Sequence, residues 1–297
     1  MPDKLQIKLN RDIESDYNYN EAIKTLRTNL QFSGSKLKVI MFTSSLPEEG
    51  KSDVSFELAQ SLAQIGKKTI LIDADIRKSV LMSRYQIGKK VSGLSEYLTG
   101  QAELSDILCA TDVDNYDVIF AGQYSPNSAD LLEDELFKTL VSDLRNTYDY
   151  IIIDTPPVAA VTDASIVAGV CDGIVLVVES GSMSYRLVQQ VKEQLETTRT
   201  RIIGVVLNKV DINSELYYNR YGKYRKYGKY GKYGKYGYRK YGYGKYGKYG
   251  KYGYGKYGKY GYGKYGKYGY GNDAYENYGY GGEAQADAAK EKTDNKA

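Results

Sequence analysis

The sequence predicts an α/β fold: a mostly parallel sheet covered by helices on both faces, followed by a disordered, tyrosine-rich C-terminal tail. Three observations predict it. From residue 20 to residue 209, short apolar runs of strand length alternate with amphipathic runs at helical spacing. The strand runs are apolar at consecutive positions, as in Ile151-Ile152-Ile153, so both faces of the sheet are covered. Isoleucine, leucine and valine vanish after Leu216, and a Lys-Tyr-Gly repeat takes their place. About 180 residues of the alternating pattern suffice to bury a core.

Residues 1–18 read as an irregular arm. A helix is predicted over 20–29, with Ile23, Leu26 and Leu30 as its apolar stripe. Glu21, Lys24 and Arg27 lie three apart and share another face of it. The first predicted strand is 37–42, and a polar loop, 43–50, follows it. Lys51 and Ser52 open a helix whose apolar positions are Val54, Leu58, Leu62 and Ile65, and Gly66 ends it. The second strand, 68–72, runs into Asp73-Ala74-Asp75. A variable stretch carries short helices at 93–98 and 104–108. The third strand is 117–121, and a loop with Pro126-Asn127 leads to a long amphipathic helix over 129–148. The fourth strand, 150–153, ends at Asp154-Thr155-Pro156-Pro157, where the prolines forbid its continuation as a central strand. A helix at 164–169, a strand at 173–178, a helix at 185–197 and a sixth strand at 202–207 complete the pattern, ending at Asn208-Lys209.

Strand, loop, Gly50-Lys51-Ser52 and helix form the layout of a phosphate-binding P-loop. The free N–H groups of the loop and of the helix start point at one spot, and the helix dipole favours an anion there. Lys51 would reach the β- and γ-phosphates, and the Ser52 hydroxyl would ligate Mg²⁺. Ser45 stands where the strict pattern has glycine, and Glu48 and Glu49 add negative charge. In parallel sheets ligands bind beyond the carboxyl ends of the strands, and Asp73, Asp75, Asp154 and Asn208 all sit at such ends. One aspartate there reads as a cap or turn residue; three beside a P-loop read as a Mg²⁺-nucleotide site. Ser52, Asp75 and Asp154 are the candidate metal ligands, and Lys51, Asp73, Asp75 and Asp154 the candidate catalytic residues. Ser45, Glu49, Gly50, Lys51, Ser52, Asp53 and Asn208 are the candidate nucleotide-binding residues. Asp73 and Asp75 share a strand face. One could hold metal-bound water while the other takes the proton of an incoming hydroxyl, a useful aid to a phenol of pKa about 10.

Composition narrows the chemistry. The chain of 297 residues has no histidine, which excludes His bases, His ligands and Ser-His-Asp triads. Cys109 and Cys171 are isolated and give neither a disulfide framework nor a zinc site. The polar start, MPDKLQIKLNRD, is no signal peptide, and no apolar run approaches the roughly 18 residues of a membrane span. A cytoplasmic protein is expected. Residues 1–211 carry 22 basic and 30 acidic side chains, net −8, whereas 212–297 carry 19 and 7, net +12. Of the 33 tyrosines, 24 follow residue 216.

With these motifs in hand, the chain resembles the bacterial tyrosine autokinases (BY-kinases) of capsule and exopolysaccharide synthesis, in the split form without a fused membrane segment, related to MinD/ParA P-loop ATPases. The resemblance rests on SSLPEEGKS (44–52), on the strand ending in D-x-D-x-R at Ile70–Arg77, and on YIIIDTPP (150–157). GQYSPNSADLL before the long helix and the tail tyrosines add to it. Glu21, Lys24 and Arg27 match the family's E-x-x-R-x-x-R oligomerisation motif, with Lys24 in place of the first arginine. Glu48 replaces a glycine and Asp53 a threonine of the family pattern. The resemblance implies ATP and Mg²⁺ as cofactors, a ring-shaped homo-oligomer and phosphorylation of the tail in trans. The acceptors it implies are tail tyrosines such as Tyr221, Tyr224, Tyr227, Tyr230, Tyr233, Tyr265, Tyr268, Tyr270, Tyr275, Tyr278 and Tyr280. It also implies a membrane adaptor of the polysaccharide co-polymerase type that recruits the kinase to the inner membrane face, and a cognate tyrosine phosphatase. The expected organisation is an arm (1–18), a P-loop kinase domain (19–216), a repeat tail (217–271) and an acidic, Ala-rich end (272–297). Two other readings compete. One is a MinD/ParA-like ATPase switch. The other is a non-catalytic scaffold, motivated by Glu48 and Asp53, whose basic tail grips an anionic polymer. Nothing folded here reads bases, so a nucleic-acid partner is not expected.

Overall fold

A computed structural model describes residues 5–9, 17–34, 36–87 and 91–211, all within one unit, Met1–Lys232. The tail, with every expected phosphoacceptor, lies outside the described residues. The elements are β1 (Leu5–Gln6), α1 (Tyr17–Phe32), β2 (Val39–Ser44), α2 (Lys51–Ala63), β3 (Thr69–Asp73), α3 (Leu81–Arg84), α4 (Leu94–Leu98), α5 (Leu104–Ile107) and β4 (Cys109–Ala110). They continue with β5 (Tyr116–Ile119), α6 (Ser128–Glu133), α7 (Glu135–Arg145), β6 (Tyr150–Asp154), α8 (Asp163–Ala168), β7 (Gly173–Glu179), α9 (Tyr185–Glu196) and β8 (Ile202–Asn208).

The strands form one sheet in the order β1-β4-β5-β3-β6-β2-β7-β8. Every pairing is parallel except β4 with β5, as the sequence predicts for a mostly parallel sheet. The central strands β2, β3 and β5 are buried at every residue, which their unbroken apolar runs require. One face carries a core of Met41, Ile70, Ile72, Ile151, Ile153 and Leu176 under α7 and α8. The other carries Ile40, Phe42, Leu71, Ile152, Val175 and Val177 under α2. Register places Asp73 of β3 beside Asp154 of β6, and Phe42 of β2 on the other side of Asp154. The carboxyl ends of β3 and β6 thus finish level with one another, and neighbouring β2 runs two residues further, to Ser44.

Four expectations change. The arm holds a strand: Leu5 and Gln6 pair in parallel with Cys109 and Ala110. Two-residue strands leave no periodicity for a sequence to show. The long helix expected over 129–148 is two helices. Asp134 takes extended backbone (φ −61°, ψ 150°) and accepts a hydrogen bond from Leu136 N at 2.8 Å, capping α7. The variable stretch contains α3. Finally, β8 is an edge strand whose Val205 and Leu207 are exposed, although its sequence reads as buried on both faces.

Candidate active site

The loop between β2 and α2 is tied down from several sides. Gly50 has φ 85°, the left-handed region that favours glycine, and a Cβ there would lie 2.2 Å from Asn208 Nδ2. That amide donates to Glu49 O at 2.9 Å. Glu49 is 1% exposed; its carboxylate accepts from Leu46 N at 2.8 Å and from Glu179 N at 3.1 Å. Glu49 and Asn208, both expected to bind nucleotide, are thus each hydrogen-bonded to backbone of the loop. Lys209 Nζ donates to Glu48 O at 2.6 Å and pairs with Glu179 at 3.0 Å. Glu48 has φ 67°, a cost that the glycine of the family pattern avoids. Thr155 Oγ1 donates to Phe42 O, and Thr43 Oγ1 to Pro156 O, both at 3.0 Å, bracing β2 against the end of β6.

Within this frame Lys51, on the first residue of α2, is buried and sits between two carboxylates. Its ammonium lies 3.6 Å from Asp75 Oδ2 and 3.6 Å from Asp154 Oδ2, and it donates to Ser52 Oγ at 3.1 Å. Burial alone would lower the Lys51 pKa, but Asp154, Asp75 and Asp73 outweigh it and raise the value, so the ammonium stays charged. Asp73 and Asp154 are each 1% exposed. Burial, with the Asp154 charge beside it, pushes Asp73 up to about 7 against the hydrogen bond from Ser79, and burial also raises Asp154. Ser79 Oγ donates to Asp73 Oδ2, and Asp75 N donates to Asp73 Oδ1 at 3.1 Å.

Two buried oxygens, Asp154 Oδ1 and Ser45 Oγ, have no hydrogen-bond partner among the described residues. Orphaned oxygens in a site with a charged lysine need an explanation. Hard oxygen donors suit Mg²⁺, which binds through one or two carboxylates, water and substrate phosphates. The donor set of Ser52, Asp75 and Asp154 fits that ion. No group of three or more acidic or cysteine side chains forms a ready-made metal cluster among the described residues.

The structure also brings in residues that sequence reasoning missed. Asp163 is fully buried at the start of α8; it accepts from Arg77 Nε at 3.0 Å and from Ser128 Oγ at 2.5 Å. Arg77 Nη1 reaches Pro126 O at 3.3 Å. The D-x-D-x-R segment is thus fastened to the loop before α6. A helix-opening aspartate gives no sequence signal of such burial. Asp53 pairs with Arg84 of α3 at 2.5 Å. The expected face of α1 is only partly free: Glu21 and Lys24 pair with each other at 2.8 Å and are exposed, while Arg27 donates to Ser61 O and Oγ of α2 at 3.0 Å.

Residues 37–209 match the family model described as AAA domain. The tyrosine-protein kinase CpsD of Streptococcus agalactiae is 43% identical over 204 residues, covering 68% of this chain and 89% of that protein. The chain belongs to the bacterial tyrosine-kinase family. The kinase domain of the Escherichia coli tyrosine kinase ETK superposes with a TM-score of 0.63 at 33% identity, covering 66% of this chain and 77% of that one. The septum site-determining protein MinD of Pyrococcus horikoshii, at 22% identity and a TM-score of 0.52, shares the fold with this bacterial tyrosine kinase, over 60% of this chain and 72% of that one. No helix among the described residues of this family member is long and apolar enough to cross a membrane.

Proposed function

We propose that this chain is a Mg-ATP-dependent protein-tyrosine autokinase that phosphorylates its own C-terminal tail in trans. The observation that carries the reading is the buried Lys51 ammonium held 3.6 Å from both Asp75 and Asp154, at level strand ends and with Asp73 alongside. Phosphoryl transfer asks mainly for alignment and charge neutralisation. The free N–H groups of Lys51, Ser52 and Asp53 and the Lys51 ammonium hold the nucleotide phosphates. Ser52, Asp75 and Asp154 would hold Mg²⁺, which neutralises charge on the β- and γ-phosphates. Asp73, with a carboxyl near 7, accepts the phenol proton. The tyrosine Oη then bonds to the γ-phosphorus as its bond to the β-phosphate oxygen breaks, and ADP leaves. Arg77, locked to Asp163, holds the segment that positions Asp73 and Asp75.

The wider setting belongs to the same proposal. The kinase assembles as a homo-oligomeric ring through Glu21, Lys24 and Arg27. It is cytoplasmic, a membrane adaptor draws it to the inner face of the membrane, a phosphatase reverses the tail modification, and polysaccharide export is the process regulated. The scaffold reading loses one of its two grounds, because Asp53 has its charge met by Arg84. Purified protein incubated with Mg-ATP should gain phosphotyrosine, and Lys51→Met should abolish it while leaving the melting curve cooperative. Equal phosphotyrosine in the Lys51→Met variant would overturn the site.

A further inference from the structure

The pair formed by Asp53 and Arg84 does not follow from the fold or from the family pattern. Asp53 is the third residue of α2, and its N–H is the last free donor of the helix start, because Val54 N already bonds Gly50 O at 3.1 Å. Its carboxylate therefore stands at the rim of a cradle built for phosphates. A bare negative charge there would oppose a nucleotide, although solvent reaching the half-open Asp53 carboxylate weakens the repulsion. Arg84 meets that charge at 2.5 Å.

Position is imposed on Arg84 by its neighbours. Tyr85, 1% exposed, stacks on Phe56 of α2 with ring centroids 3.7 Å apart and planes inclined by 16°. Leu81, also 1% exposed, anchors the start of α3. Phe56 and Asp53 are three apart on α2 and share a face, so docking Tyr85 on Phe56 sets Arg84 beside Asp53. The pair itself is open to solvent, 41% exposed at the arginine and 37% at the aspartate, and exposed ion pairs contribute little to stability. Asp53 is the one hydrogen-bond partner of the Arg84 guanidinium among the described residues, and the planar fork has donors to spare for a second anion.

We propose that Arg84 is a nucleotide-binding residue: its guanidinium bridges the Asp53 carboxylate and the α-phosphate of a bound nucleoside di- or triphosphate, completing the cradle begun by the Gly50–Asp53 backbone. Asp53 in turn positions Arg84. The inference rests on the proposed nucleotide site, for which the buried, unpartnered Ser45 Oγ and Asp154 Oδ1 are separate support. It also links the phosphate cradle to the chain segment that carries Asp73 and Asp75, because α3 ends that segment.

The test is the affinity of the full chain for Mg-ADP, by calorimetry, with thermal melts to show that each variant folds. Arg84→Ala should weaken binding by about tenfold or more, the scale of a charge-assisted contact. Asp53→Thr in the Arg84→Ala background should recover only part of that loss, because the opposing carboxylate is gone while the guanidinium contact to the phosphate is still missing, and should stay about threefold or more weaker than wild type. Arg84→Lys should fall between, keeping the charge and losing the fork. Wild-type affinity in Arg84→Ala, or a double variant that regains wild-type affinity in full, overturns the bridge while leaving the P-loop reading intact. Wild-type protein that binds no Mg-ADP overturns that reading and the bridge with it.

Discussion

At the scale of single residues, the site carries identifiable strain. Glu48 holds φ 67°, where a side chain costs roughly 1–2 kcal/mol relative to its ordinary backbone region. Its contact with Lys209 uses the carbonyl, which glycine keeps. Glu48→Gly should therefore stabilise the protein by about 0.5–1 kcal/mol, the relief exceeding the added freedom of the unfolded chain. It should also bind Mg-ADP more tightly, one acidic side chain having left the loop. A lower melting temperature would show the turn to be unstrained. Asp73 gives a pH signature in metal-free protein. Its folded pKa near 7 lies above the unfolded value near 3.9, so the folded state holds the extra proton between them. Stability contributed by this group is complete below about pH 4 and is lost as pH rises through 7. Asp73→Asn, neutral at every pH, should gain in melting temperature over wild type as pH climbs from 5 to 8. A constant difference across that range would mean that Asp73 titrates normally.

At the scale of elements, α1 is the piece with two duties. Arg27 fastens it to Ser61 of α2, while Glu21 and Lys24 face solvent as an ion pair. If the face links subunits, Glu21→Ala should lower the mass seen by light scattering with little change in melting temperature, since exposed pairs contribute about 0–1 kcal/mol. Arg27→Ala should lower both, because it loosens α1 from α2 as well. Unchanged mass in both variants would leave the face merely solvated. Elements also show where sequence is legible. The P-loop lies in one contiguous stretch, so Gly50, Lys51 and Ser52 declare themselves by order alone. Asp73 and Asp154 are readable because parallel strands put their ends on one edge. The break at Asp134 is not readable, because Glu133-Asp134-Glu135 suits a helix surface as well as a cap. Asp163 and Arg84 are not readable either. Their partners, Arg77 and Asp53, lie 86 and 31 residues away and meet them only through tertiary packing.

At the scale of the whole molecule, an acidic body of net −8 is joined to a basic tail of net +12 that holds 24 of the 33 tyrosines. Under the proposed transfer, opposite charge should raise the local concentration of tail tyrosines around the acidic body. Each phosphate adds about −1.5 to −2 charges, so roughly six to eight cancel the tail's charge and remove that attraction. Transfer should then slow before all the tyrosines are used. Transfer in trans means that the Lys51 site of one chain modifies the tail of another. It is tested most directly by mixing wild type with full-length Lys51→Met protein, distinguished by a mass tag, in Mg-ATP and following the intact mass of each. Phosphates on the Lys51→Met chain, mapping to tyrosines beyond residue 216 and absent when that variant is incubated alone, are the predicted result. A Lys51→Met chain that stays unmodified beside active wild type would contradict transfer in trans, and a wild-type chain that gains no phosphotyrosine at all would contradict the kinase assignment.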